Sequence, residues 1–140
     1  MEQRRRVTAI LLGTNALLWL ATNPDRVAPE ARAALSDRSN DLAVSAAPAW
    51  EIAVKSRLGR LDAEPLLAAW SETLAAMGVD DLAIDAADSV TACRLAWEHN
   101  DPFDRMVVAQ ALRRGLVIAA SDQRMIAGAL TPTIDTRSAR

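Results

Sequence analysis

The sequence predicts an α/β fold, with a short parallel sheet of four or five strands and helices on both faces. Three observations carry that prediction. Residues 7–12 and 116–120 are apolar runs without polar alternation, the pattern of strands covered on both faces in a parallel sheet. These and weaker strand-like runs alternate with helical segments, the order required by parallel strands joined through helical crossovers. The chain has 140 residues, 51% of them hydrophobic, which suits one compact core and excludes a disordered or fibrous chain.

Residues 7–12 form the first strand, which stops at Gly13. Thr14 or Asn15 caps a helix over 16–21, and Pro24 and Pro29 punctuate the passage to a second helix, 29–36, whose proline sits in the favoured first turn. Residues 41–45 make a second strand, after which Pro48 opens a helix that runs to about Arg57 and ends near Gly59. In 64–77, Leu66, Leu67, Trp70, Leu74 and Met77 recur at helical spacing and give one helix with an apolar face, closed by Gly78. Residues 79–85 are a weaker strand, and 86–98 a helix broken by Asn100, Asp101 and Pro102. A helix over 102–114 closes at Gly115, strand 116–120 follows, and 133–135 is a last edge strand. No repeat or linker divides the chain, so 1–140 reads as a single domain with flexible ends at 1–6 and 136–140.

Lys plus Arg is 16 and Asp plus Glu is 18, a net charge of −2 that argues against a nonspecific DNA-coating protein. Lys55 is the only lysine; arginine suits phosphate oxygens, but such a bias is also a coding signature of high-GC genomes, so nucleic-acid binding stays open. Cys93 stands alone, which excludes a disulfide framework and a thiolate zinc site and reads as a buried, inert thiol. The apolar runs fall far short of the roughly 20 residues that span a bilayer, and Arg4, Arg5 and Arg6 are not followed by a signal-peptide core. The expected location is the cytoplasm, away from membranes.

In open parallel sheets ligands bind beyond the carboxyl ends of the strands. Those positions hold Gly13 and Thr14, then Ser45 with the Pro48 helix, then Ser121 and Asp122. Glu51, at the fourth position of a helix begun by Pro48, points back to the strand ends, and Asp104 lies in the first turn opened by Pro102. Three carboxylates from separate segments thus converge on one sheet edge, an arrangement that calls for a hard divalent cation such as Mg²⁺ or Mn²⁺ and suits phosphodiester hydrolysis. Each also has a structural reading. Asp101 is an N-cap with Asp104 at the capping-box position, Glu51 and Lys55 are spaced as a surface ion pair, and Asp122 caps a following helix. His99 reads as a solvated residue at a helix end, and Trp19, Trp50, Trp70 and Trp97 as core.

The segments Leu11-Leu12-Gly13-Thr14-Asn15-Ala16-Leu17-Leu18-Trp19, Val44 to Lys55 with its Trp50-Glu51-Ile52-Ala53-Val54-Lys55 string, Asn100-Asp101-Pro102-Phe103-Asp104-Arg105-Met106, and Ala120-Ser121-Asp122 resemble PIN-domain proteins, in particular VapC-type toxins of bacterial toxin–antitoxin pairs. The resemblance runs from about residue 10 to residue 134. It implies a three-layer α/β/α domain and a Mg²⁺- or Mn²⁺-dependent endoribonuclease acting on tRNA or rRNA, usually a homodimer inhibited by a VapB-type antitoxin. Matched to the motif, Glu51, Asp104 and Asp122 are the catalytic and metal-binding acids. Thr14, Asn15, Asp101, Arg105 and Ser121 are supporting or RNA-contacting candidates, with Arg57 a further candidate for backbone phosphates.

The chain departs from the pattern at Gly13, where the family carries its first catalytic Asp. One ligand of charge −1 is lost there, with a cost of up to several kcal/mol of transition-state stabilisation. Either an inactivating change was engineered or selected because an active toxin harms its host, or the protein is a degenerate member that keeps fold and antitoxin binding. Two alternative functions follow: a catalytically inactive module that dimerises and binds an antitoxin, or a housekeeping RNA-maturation nuclease.

Overall fold

The computed structural model describes residues 8–128 and 130–137. The elements run β1 (Ala9–Leu12), α1 (Thr14–Thr22), a 3₁₀ turn (Pro24–Arg26), α2 (Pro29–Ser36), β2 (Asp41–Ser45), α3 (Ala46–Arg57), α4 (Glu64–Ala68), α5 (Trp70–Met77), β3 (Val79–Leu82), α6 (Ala86–Arg94), α7 (Pro102–Arg114), β4 (Val117–Ala120), α8 (Gln123–Ala127) and β5 (Thr133–Asp135). The five strands form one parallel sheet in the order β3-β2-β1-β4-β5. The expected α/β/α layering is the architecture observed.

Two-sided burial at the centre of the sheet explains the uniformly apolar strands β1 and β4, whereas β3 carries the exposed Asp80 and Asp81. Ile10 and Leu12 point into a core with Leu17 of α1, Leu35 of α2, Ile52 of α3 and Leu74 of α5. Leu11, between them, points to the opposite core with Ile118, Val107 and Val108 of α7 and Met125 of α8. Side chains still alternate along the strand, but both faces are dry, so the sequence shows no polar period. Burying each large aliphatic here contributes roughly 1.5–3 kcal/mol.

Several expected boundaries move for identifiable reasons. Helix α1 begins at Thr14 with Gly13 in the cap position, so neither Thr14 nor Asn15 caps it. Helix α3 begins two residues before Pro48, because the Ser45 hydroxyl accepts the Ala47 N–H at 3.0 Å and starts the helix directly from β2. The expected helix over 64–77 is interrupted at Ala69, whose backbone (φ −111°, ψ 28°) leaves the helical region. Gly78 and Gly115 close α5 and α7 in the left-handed conformation that glycine adopts without steric cost.

Helix α6 stops at Arg94 and not at 98, and Arg105 is the reason. Its guanidinium donates to the carbonyls of Ala92, Cys93, Leu95, Trp97 and His99 at 2.8–3.2 Å, which satisfies the open end of α6 and folds residues 95–99 back over the start of α7. Arg105 is therefore a clamp on this loop, and its fork is spent on carbonyls instead of RNA phosphates or a carboxylate. Asp88, fully buried, ties α6 to α7 through Arg113 and Arg114 and reciprocally caps α6 with Asp85. Burial opposes its charge, but bonds from Arg114, the Asp85 backbone, Gln110 and Arg113 prevail and hold the carboxyl well below the usual range.

Four side-chain expectations are corrected. Cys93 is exposed, His99 is buried, Trp50 is 64% exposed with its ring edge against Phe103, and Thr136 is buried. The Thr136 N–H donates to Ala120 and its carbonyl accepts from Ala28, so the chain is fixed through this point; residues 138–140 and the expected flexible segment 1–6 lie outside the described residues. No helix among the described residues is long and apolar enough to cross a membrane.

Candidate active site

After β1 the chain goes to β2 and β3 on one side, then to β4 and β5 on the other. The crevice at this switch of direction lies beyond the ends of β1 and β4. Gly13, Thr14 and Asn15 enter it from β1, and Ser121 and Asp122 from β4. Glu51 reaches it from α3, and Asp101 and Asp104 from the start of α7; together these line a cavity of about 190 Å³. Lys55, Arg124 and Met125, unassigned by sequence, line it as well. Arg105 is not among its walls.

The acids do not form one equivalent set. Glu51 is buried, yet both of its oxygens have partners: Thr14 Oγ1 donates to one at 2.6 Å, and Lys55 Nζ lies 2.5 Å from the other. The expected ion pair is present, but it faces a groove, and half of Lys55 remains exposed. Asp122 caps α8 by accepting the Arg124 N–H at 2.8 Å, and Asn15 donates to Ser121 at 3.3 Å across the crevice. Asp101 caps α7 by accepting the Asp104 N–H at 3.0 Å.

Capping by Asp101 leaves the Asp104 carboxylate free for a different partner, the His99 imidazole, with Nε2 2.6 Å from Oδ2. Asp104 is pushed up from the ordinary Asp value: burial is the largest cause, the His99 bond opposes it, and the charges of Asp101 and Asp122 add to the rise. His99, Asp104 and Asp122 can each offer a ligand atom, all within 4.8 Å of one another. Two carboxylates and an imidazole so close fit a divalent cation, and Glu51 is outside that group. Sequence reading missed His99; its signal was a lone histidine two residues before an Asp-Pro helix start that folds back on its own first turn.

Position 13 supplies no ligand. Its backbone (φ −70°, ψ 169°) is ordinary extended conformation open to any residue, and its N–H donates to Ala119 at 2.8 Å. A Cβ placed there would lie 3.0 Å from the Ala119 carbonyl oxygen, a tight approach that the β1–β4 pair must relieve by a few tenths of an ångström.

The PIN domain family model matches residues 10–129. Ribonuclease VapC22 of Mycobacterium tuberculosis is 27% identical over 120 residues, spanning 85% of this chain and 91% of that protein. Among solved structures, VapBC2 from Rickettsia felis bound to a promoter DNA fragment aligns with a TM-score of 0.65 at 11% identity, covering 92% of this chain and 99% of that one. DNA-bound VapBC from Salmonella typhimurium gives 0.65 at 17%, covering 92% and 98%. At such identities the structural likeness speaks for the fold, while the family model spans most of the sequence, acidic crevice included: the chain belongs to the PIN domain family.

Proposed function

We propose that this protein is the toxin of a toxin–antitoxin pair, a VapC-like, metal-dependent endoribonuclease acting on tRNA or rRNA in the cytoplasm. The observation that carries it is the gathering of Glu51, Asp104 and Asp122 at the switch point of a PIN fold. The VapC22 relative supports ribonuclease chemistry, and the VapBC neighbours support a VapB-type antitoxin as partner. A homodimer is proposed with it.

Asp104 and Asp122 would hold a Mg²⁺ or Mn²⁺ ion, which would supply charge neutralisation at the phosphate and a more acidic water. Glu51, fixed by Thr14 and Lys55, orients the attacking water and accepts its proton as the P–O3′ bond breaks; the departing O3′ takes a proton from solvent, and the products are a 5′-phosphate and a 3′-hydroxyl. Lys55 and Arg124 on the cavity wall take backbone phosphates.

Gly13 favours a second reading, a binding module that keeps antitoxin affinity without cleavage. Incubation of the chain and of Gly13→Asp with tRNA and rRNA at millimolar Mn²⁺ separates the two. The ribonuclease reading expects cleavage to appear or rise in Gly13→Asp and to vanish when Asp104→Asn is added. Antitoxin binding with no cleavage in either protein overturns it in favour of the module.

A further inference from the structure

We propose that His99 is the third protein ligand of the cation site, an imidazole nitrogen beside Asp104 and Asp122, so that the site selects a transition ion such as Mn²⁺, Co²⁺ or Zn²⁺ over Mg²⁺. This rests on the placement of the ion between Asp104 and Asp122 proposed above, and changes what that site accepts.

Three features of the molecule support it. The His99 residue is only 9% exposed, its Nε2 already lies 2.6 Å from an Asp104 oxygen, and the ligand atoms of the trio fall within 4.8 Å of one another. The ring is also pre-positioned. Arg105 holds the Trp97 and His99 carbonyls at 2.8 and 3.0 Å, and the Trp97 ring packs edge-on against the imidazole with centroids 4.8 Å apart. Little freedom is left to lose on ligation. Third, the end of β1 offers no carboxylate, because Gly13 stands there.

The resulting set is two carboxylates and one neutral imidazole. Mg²⁺ prefers oxygen ligands and gains little from a ring nitrogen, whereas imidazole is a good ligand for first-row transition ions. Ligation exchanges the 2.6 Å contact with Asp104 for a shared bond to the ion, with the ring proton on Nδ1. A purely positioning role is the competing account: His99 then donates to Asp104 and never touches the ion.

Pulsed EPR of the full chain loaded with Mn²⁺ distinguishes the two, because a ligated imidazole nitrogen gives a ¹⁴N coupling and a distant one does not. The expected result is a ¹⁴N coupling in the chain as it stands, lost in a folded His99→Gln variant. That variant should bind Co²⁺ about tenfold or more weakly, with Mg²⁺ affinity changed less than about threefold. Mn²⁺ bound without ¹⁴N coupling overturns the proposal even if His99→Gln fails to fold. RNA cleavage followed in parallel separates it from the functional reading. Cleavage without ¹⁴N coupling removes only the ligand assignment, coupling without cleavage even in Gly13→Asp removes only the ribonuclease, and no binding of Mn²⁺ or Co²⁺ at millimolar concentration removes both.

Discussion

Replacing Gly13 by Asp tests the crevice most directly, because it adds one charge to a site whose neighbours are known. Without metal the variant should be less stable. Its backbone is unstrained, but the new Cβ meets the Ala119 oxygen at 3.0 Å and the carboxylate joins Asp104 and Asp122 across the crevice. Overpacking of this kind with like-charge repulsion costs about 2 kcal/mol, or roughly 8 °C in Tm for a chain of this size. Divalent ion should narrow that gap to less than about 1 kcal/mol. A gain of about tenfold in affinity is worth about 1.4 kcal/mol, so at an ion concentration of about ten times the parent's Kd the parent gains about 1.4 kcal/mol and the variant about 2.7 kcal/mol. The assay is thermal unfolding of both proteins with chelator and with a Mn²⁺ series. Equal Mn²⁺-induced shifts in the two proteins would refute the assignment of position 13 to the metal site, whatever happens to cleavage.

Other substitutions read the remaining parts. Glu51→Gln, made on the Gly13→Asp background, should lower RNA cleavage by about 100-fold or more, while Mn²⁺ affinity by calorimetry stays within about threefold because Glu51 lies outside the three-ligand group. Arg105→Ala leaves five carbonyls without their donor and should lower stability by about 3 kcal/mol, about 12 °C in Tm; a fall under about 2 °C would show that the 95–99 loop does not depend on the clamp. Asp88→Asn should cost about 3 kcal/mol at neutral pH, measured by urea unfolding. The Asp88 carboxyl is held below its ordinary value of 3.8, so its contribution is full above that pH and is lost as pH falls towards the depressed folded value. The gap between parent and Asp88→Asn should therefore shrink below pH 4, and a gap constant down to pH 2 would contradict the linkage.

How much of this was legible in sequence follows from which forces are local. The strands and the helices α2 and α7 were readable because apolar runs, Pro29, Pro102 and Gly115 act through their own backbone. The end of α6 was not, since it depends on which carbonyls a guanidinium eleven residues further on collects. His99 was missed for the same reason: Arg105 holds its carbonyl and folds its loop back, which sets the imidazole against the Trp97 ring and Asp104. Trp50 was misjudged in a more informative way. The buried residues of α3 are Ala47, Pro48, Glu51 and Ile52, a helical stripe that puts the carboxylate inward and leaves the tryptophan outside. Hydrophobic burial alone favours a helix turned to swap them. The fold keeps the acid inside and satisfies it with Thr14 and Lys55, at a position that opens onto the crevice. A core position held by a neutralised carboxylate beside an exposed indole is a local conflict that packing does not explain, and such conflicts concentrate where function sets the residue. Read that way, the inversion at 50 and 51 marks the site from α3 alone, independently of position 13.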